Sequence, residues 1–209
     1  MLERLPITTF LDKLASSDPV PGGGSVSALC GALSSALAEM VARLTAGKTQ
    51  DESLSARMSQ IIRGVSSMRA KLEESIDRDS EAYGAVMTAY KMEKGTDEEK
   101  RLRQQAIQDA LKEAARVPLS VADASARLLD LAEGLVKEGN QNAVTDAAVA
   151  AILARSAVLG AAYNVRINLL SIKDATFRDS TRREADQLEK RAMEKERDIL
   201  SLASSMLAL

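Results

Sequence analysis

Apolar positions recur at three- and four-residue spacing over long stretches of the chain, and no window alternates as a half-buried strand would. Ala, Leu, Glu, Lys, Arg and Met fill these stretches, all good helix formers. The breaks are few: Pro6, Asp18 to Gly24, Gly47 to Asp51, Lys94 to Asp97, Gly139 to Gln141 and the region near Asp174. They predict a short helix over Thr8–Ser16 and long ones over Ser25–Ala46, Ser53–Met92, Asp97–Lys137, Ala143–Lys173 and Ala175–Ala208. Asp97 is the expected N-cap of its helix, with Glu98 and Glu99 in the first turn. Pro118 lies inside that helix and is expected to kink or split it. Long helices with short connections imply an all-α antiparallel bundle of about six helices, forming a single domain over residues 1–209.

Two of these helices are apolar nearly all round. Between Ser25 and Leu44 the only charges are Glu39 and Arg43, and between Ala143 and Leu170 they are Asp146, Arg155 and Arg166. Such helices are central to a bundle or span a membrane. Spanning is disfavoured, because each mid-membrane charge costs about 2.5–3.5 kcal/mol. Their small residues permit close approach of helix axes, and their apolar surface exceeds what one subunit covers, which implies a homodimer or a higher assembly of dimers. The last helix carries mixed charge, with Leu188, Ala192 and Ile199 on its inner face.

Composition narrows the chemistry. With 28 Lys and Arg against 30 Asp and Glu, the chain lacks the basic surplus of a nucleic-acid binder, and 2% aromatic residues leave too few rings for stacking platforms. There is no histidine, and Cys30 is the single cysteine, so zinc triads and imidazole catalysis are excluded. No metal site is expected, although a carboxylate-bound magnesium stays open. Met1 to Pro6 carries charge where a signal peptide needs an apolar run, which gives a cytoplasmic expectation.

Three constellations stand out. Asp18-Pro-Val-Pro-Gly-Gly-Gly-Ser25 leaves bare backbone amides ahead of an apolar helix, suited to an anionic or carbonyl group or to a tight packed turn. It lacks the Gly-Lys-Ser/Thr of a phosphate-binding loop. Gly139 to Asp146 opens the fifth helix, with Asn142 and Asp146 four apart on one face; Asp146 there either complements the helix dipole or works in a site. Asn164 and Asn168 repeat the spacing and need partners, from another helix or from a ligand. Asp79, Tyr83 and Met87 fall in register, followed by Tyr90 and Lys91 near the helix end.

These segments, Asp18 to Leu29, Asp79 to Lys91, Lys94 to Glu99, Gly139 to Asp146 and Ala161 to Leu169, together resemble the cyclodeaminase/cyclohydrolase family, in order and over essentially the whole chain. That family includes the cyclodeaminase half of formiminotransferase-cyclodeaminase and free-standing methenyltetrahydrofolate cyclohydrolases. Glu93 departs from the Pro that relatives often carry before the lysine matching Lys94. The resemblance implies an all-helical dimer with a folate site at or near the interface. It implies a tetrahydrofolate derivative as substrate, no tightly bound cofactor, and either water addition to 5,10-methenyltetrahydrofolate or closure of its ring with loss of ammonia. Both reactions need a base for the nucleophile and an acid for the leaving nitrogen. Asp79 and Asp146 are the expected catalytic pair, at least one with a raised pKa. Asn142, Asn164 and Asn168 would orient the substrate, Pro21, Gly22, Gly23, Gly24 and Ser25 would line the pocket, and Lys91 would attract the glutamate tail. The competing reading is a non-catalytic helical scaffold or folate-binding oligomer.

Overall fold

The computed structural model describes residues 1–207, within which the chain forms six α-helices. They are α1 (Ile7–Leu14), α2 (Gly23–Ala46), α3 (Glu52–Tyr90), α4 (Asp97–Glu138), α5 (Val144–Leu169) and α6 (Ala175–Leu207), with single 3-10 turns at Leu2–Arg4 and Gln141–Ala143. The all-α expectation holds, and the long helices fall where the breakers put them. The predicted end at Ala208 lies outside the described residues.

Local chemistry sets the ends. Asp51 caps α3, accepting from Ser53 N at 2.8 Å and Leu54 N at 3.2 Å. The cap of α4 is Thr96 rather than the expected Asp97: its hydroxyl accepts from Glu99 N while Glu99 accepts from Thr96 N, a reciprocal capping box one residue earlier. Pro118 does not split α4, which runs through it unbroken with the proline buried.

Neighbour relations stand α3, α2, α5 and α6 side by side in that order, with α4 across their back. α2 and α5 run antiparallel, since Asn140 N donates to Thr45 Oγ1 at 2.9 Å, Ser34 Oγ to Ala150 O at 2.7 Å, and Gly160 lies against Ser27. A Cβ at Gly160 would overlap the Ser27 hydroxyl, so this close approach requires glycine. The seam is built from fully buried alanines, Ala28 and Ala38 on α2 and Ala147, Ala150, Ala154 and Ala157 on α5 among them. Bulk comes from the flanks, where Leu72, Leu128, Leu129 and Leu135 are buried almost completely.

Two apolar stripes are left facing outward. One runs along α2 through Leu33, Ala36, Met40 and Leu44, the other along α5 through Val149, Ile152, Tyr163, Ile167 and Leu170. By length and composition both α2 and the stretch Gln141–Leu169 suffice to cross a membrane, and only 44% of the apolar window in the latter is buried. The charge within α2 is absorbed locally: buried Glu39 is paired with Arg43 at 2.6 Å and with Arg69 at 3.3 Å and accepts from Ser66 at 3.0 Å.

Candidate active site

α2 begins at glycines, so no side chain of its own caps it. The cap arrives from α3 instead. Asp79 Oδ2 accepts from Ser25 N at 2.9 Å and lies 3.1 Å from Ser25 Oγ, which also reaches Ile76 O at 3.0 Å and sits 3.4 Å from Ser80 Oγ. Asp79 thus occupies the positive end of an apolar helix. The approach demands Gly24, because a Cβ there would overlap the Asp79 carboxylate. Burial pushes the Asp79 carboxyl above its ordinary value, and the hydrogen bonds from Ser25 only partly offset this. A carboxyl group so placed exchanges protons closer to neutrality.

Asp79 lies in the wall of a cavity of about 430 Å³ enclosed by α3, α4, α5 and the turn before α2. Gly22, Gly23 and Gly24 form one side, beside Pro19 and Val20; Tyr83, Met87 and Tyr90 form another. Asn164 and Asn168 close it from α5. Among the described residues Asp79 is the one charged side chain in this lining. The Val20–Pro21 peptide bond, just before the glycines, is cis.

Both asparagines spend their nitrogens on backbone. Asn164 Nδ2 donates to Gly160 O at 2.8 Å, and Asn168 Nδ2 to Asn164 O and to Ala114 O, each at 2.9 Å. Ala114 O is the carbonyl that a residue at position 118 would bond through its backbone N–H, and Pro118 has none. Asn168 supplies the missing donor from α5, which explains why α4 survives its proline. The Oδ1 atoms of both asparagines receive no donor among the described residues, which makes them acceptors for N–H groups of a ligand.

The sequence pattern of the formiminotransferase-cyclodeaminase family matches residues 6–187. A methenyltetrahydrofolate cyclohydrolase from Methylorubrum extorquens is 41% identical over 182 residues, 87% of this chain and 88% of that protein. The chain belongs to the formiminotransferase-cyclodeaminase family. A formimidoyltransferase-cyclodeaminase from Sus scrofa is 37% identical over 88% of this chain, which corresponds to 34% of that longer protein. The crystal structure of a formiminotetrahydrofolate cyclodeaminase from Thermotoga maritima superimposes with a TM-score of 0.88 at 34% identity, covering 100% of both chains.

Against this family frame, the residues singled out in the sequence divide into two groups. Gly22, Gly23, Gly24, Asp79, Asn164 and Asn168 line one cavity. Pro21 and Ser25 are buried behind it, Ser25 through its bonds to Asp79. Lys91 caps the end of α3, exposed and one residue beyond Tyr90, outside the lining.

Asn142 and Asp146 do not join Asp79 within one chain. They sit at the start of α5, and the 18 residues from Asp146 to Asn164 span about 27 Å of helix. Asn142 is exposed and Asp146 half-buried in the first turn. Nor is Asp146 balanced by a buried arginine: Arg155 pairs with Glu196 at 3.3 Å, and Arg166 with Asp186 at 2.7 Å and with Glu189. Leu111, Ala114, Ile167 and Ser171 also line the cavity and were not singled out in the sequence. The i, i+4 relation of Ile167 and Ser171, and their nearness to Asn164 and Asn168, was the one available signal.

Proposed function

We propose that the chain is an enzyme of folate one-carbon metabolism acting on the amidinium carbon of 5,10-methenyltetrahydrofolate, as a cyclohydrolase that opens the ring to 10-formyltetrahydrofolate. The observation that carries this reading is Asp79: a carboxyl group raised by burial, fixed on a helix N-terminus, in a cavity whose other polar groups are neutral. Water adds to the amidinium carbon as Asp79 takes its proton, Asp79 returns that proton to N5 as the C–N5 bond breaks, and the hydroxyl left on the carbon releases its proton to solvent as the formyl C=O forms. Asn164 and Asn168 Oδ1 accept from pterin N–H groups, and Gly22 to Gly24, at the start of α2, admit the planar ring close to backbone. The glutamate tail leaves past Tyr90 toward Lys91.

The second reading is supported by the Thermotoga maritima neighbour, named a formiminotetrahydrofolate cyclodeaminase, which matches over 100% of both chains. In it N10 attacks the protonated formimino carbon of 5-formiminotetrahydrofolate and loses its proton to Asp79, and Asp79 returns that proton to the nitrogen that leaves as ammonia. The same carbon and the same carboxylate serve both reactions. Near-ultraviolet absorbance of the methenyl ring separates them: loss from 5,10-methenyltetrahydrofolate above the uncatalysed rate supports hydrolysis, and gain from 5-formiminotetrahydrofolate supports ring closure. No enzymatic change with either substrate refutes the assignment.

The reading includes a homodimer formed through the outward stripes of α2 and α5, whose exposed Leu33, Met40, Ile152 and Tyr163 suit burial better than solvent. Sedimentation at micromolar concentration tests it. It also places the enzyme in the cytoplasm, with which the free thiol of Cys30 is compatible.

A further inference from the structure

The proposed reaction, on whose use of Asp79 as base this inference rests, needs one of the two carboxylate oxygens to take a proton and give it back. The two oxygens are not equivalent. Oδ2 accepts from Ser25 N at 2.9 Å and lies 3.1 Å from Ser25 Oγ. Oδ1 accepts from no donor among the described residues and lies against the bare Cα of Gly24. A single residue thus supplies two donors to one oxygen and none to the other.

The hydroxyl of Ser25 has a second choice. It carries one proton and has two acceptors in reach, Asp79 Oδ2 at 3.1 Å and Ile76 O at 3.0 Å, and the residue is fully buried, so water does not compete. Ile76 O already faces the N–H of Ser80 four residues on in α3, and the hydroxyl is an extra donor to it. An ionised carboxylate draws the hydroxyl more strongly than a carbonyl does. Once Asp79 is protonated that preference is gone, and rotation about one bond turns the hydroxyl to Ile76 O without leaving a buried donor unpaired.

No cation competes for this part. Among the described residues that line the cavity the other titratable groups are Tyr83 and Tyr90. On α3 itself, Asp77 faces the amides of Leu2 and Glu3, Arg78 pairs with Glu113, and Glu81 is exposed. Asp18, on the turn before α2, is also exposed. Lys112 of α4 pairs with Asp174, and Arg166 of α5 with Asp186 and Glu189 of α6.

We infer that Ser25 is the positioning residue of Asp79: its amide and hydroxyl hold Oδ2, Oδ1 is the oxygen that takes and returns the proton, and the hydroxyl swings between Oδ2 and Ile76 O as the charge on Asp79 comes and goes. In the hydrolysis, water gives its proton to Oδ1 while the hydroxyl turns to Ile76 O. It turns back to Oδ2 as Oδ1 passes that proton to N5 and the C–N5 bond breaks.

The test reads the titration of Asp79 directly, without substrate. With the aspartate carboxyl carbons isotope-labelled for nuclear magnetic resonance, the Asp79 signal is the one missing from Asp79→Asn. The Ser25 hydroxyl stabilises the carboxylate, so Ser25→Ala should move that titration upward by about one pH unit. Ser75→Ala removes another buried hydroxyl, bonded to Lys71 O one turn before Asp79, and should not move it. Alanine suits both helices, so both variants keep the fold. An unmoved titration in Ser25→Ala, or an equal shift in Ser75→Ala, overturns the inference whatever the activity.

Turnover gives a second readout. The acid limb of the rate should move upward with the titration in Ser25→Ala, so that the variant loses about tenfold more on that limb than on the plateau above it. A loss of equal size at every pH makes Ser25 a packing residue only and overturns the inference. A moved titration in a chain that acts on neither folate substrate upholds the hold of Ser25 on Asp79 and refutes the proposed function alone.

Discussion

The side-chain amide of Asn168 donates at 2.9 Å to the carbonyl of Ala114, the group that Pro118 leaves without a helical donor. A residue positioned to bind a ligand is thereby also the splint of α4. Asn168→Ala should leave a buried carbonyl unsatisfied and cost roughly 1–3 kcal/mol. Pro118→Ala restores the backbone donor, so the double variant should recover much of that loss, a coupling measurable by urea denaturation of the four proteins. Additive losses would show that the two residues do not share the carbonyl.

Asp79 should govern the pH dependence of both rate and stability. Its carboxyl group is raised in the folded chain by burial, so it binds a proton more tightly there than when unfolded. The stability tied to it is therefore fully present below the ordinary aspartate range and lost as pH rises through the raised value. The difference in unfolding free energy, wild type minus Asp79→Asn, should fall with rising pH. The rate should rise with pH through the same titration, and that limb should vanish in Asp79→Asn. An acid limb in the ordinary carboxylate range would remove Asp79 from the role of base.

Gly24 and Gly84 should respond oppositely to alanine. A methyl group at Gly24 displaces the Asp79 carboxylate, whereas at Gly84, exposed within α3, it meets nothing within 4 Å. Gly24→Ala should lower turnover at least tenfold, more than it lowers the melting temperature. Gly84→Ala should leave turnover unchanged and stabilise the chain by roughly 0.5–1 kcal/mol. Equal effects at the two positions, read by calorimetry and the absorbance assay, would deny the Gly24–Asp79 contact any catalytic meaning.

Glu39 predicts the opposite pH behaviour, far from the cavity. The hydrogen bond from Arg43 holds its carboxyl below the ordinary glutamate range, helped by Ser66 and Arg69 and opposed by burial. Its contribution is present above that range and lost as pH falls through the lowered value. Glu39→Gln should cost roughly 1–2 kcal/mol near neutrality, since both arginines open to solvent and the pairs are screened. The difference from wild type should shrink in acid. A pH-independent difference would assign the loss to packing alone.

The helices were legible because their periodicity is long and their breakers few, but tertiary partners decided what the breakers did. Pro118 reads as a break in one dimension and ceases to be one when Asn168 arrives from α5. Thr96 rather than Asp97 caps α4 because Glu99 completes a box with it, a competition between adjacent residues that propensity ranks closely. The motifs brought attention to Asp79, Gly24 and Asn164, yet their meeting depends on the antiparallel seam of α2 and α5, which spacing does not specify. Asn142 and Asp146 look like members of the same site in sequence, and helix length alone separates them.

A cavity with one carboxylate and neutral remaining walls also sorts the two ends of the proposed reaction by charge. The methenyl ring is a cation and the opened formyl product is not. Asp79 attracts the first by its charge and has nothing comparable to hold the second, so the completed hydrolysis loosens its own product. In the closing direction the same wall grips the cation just made. A single negative charge in this place therefore acts as a ratchet for departure, speeding turnover toward ring opening and retarding it toward closure.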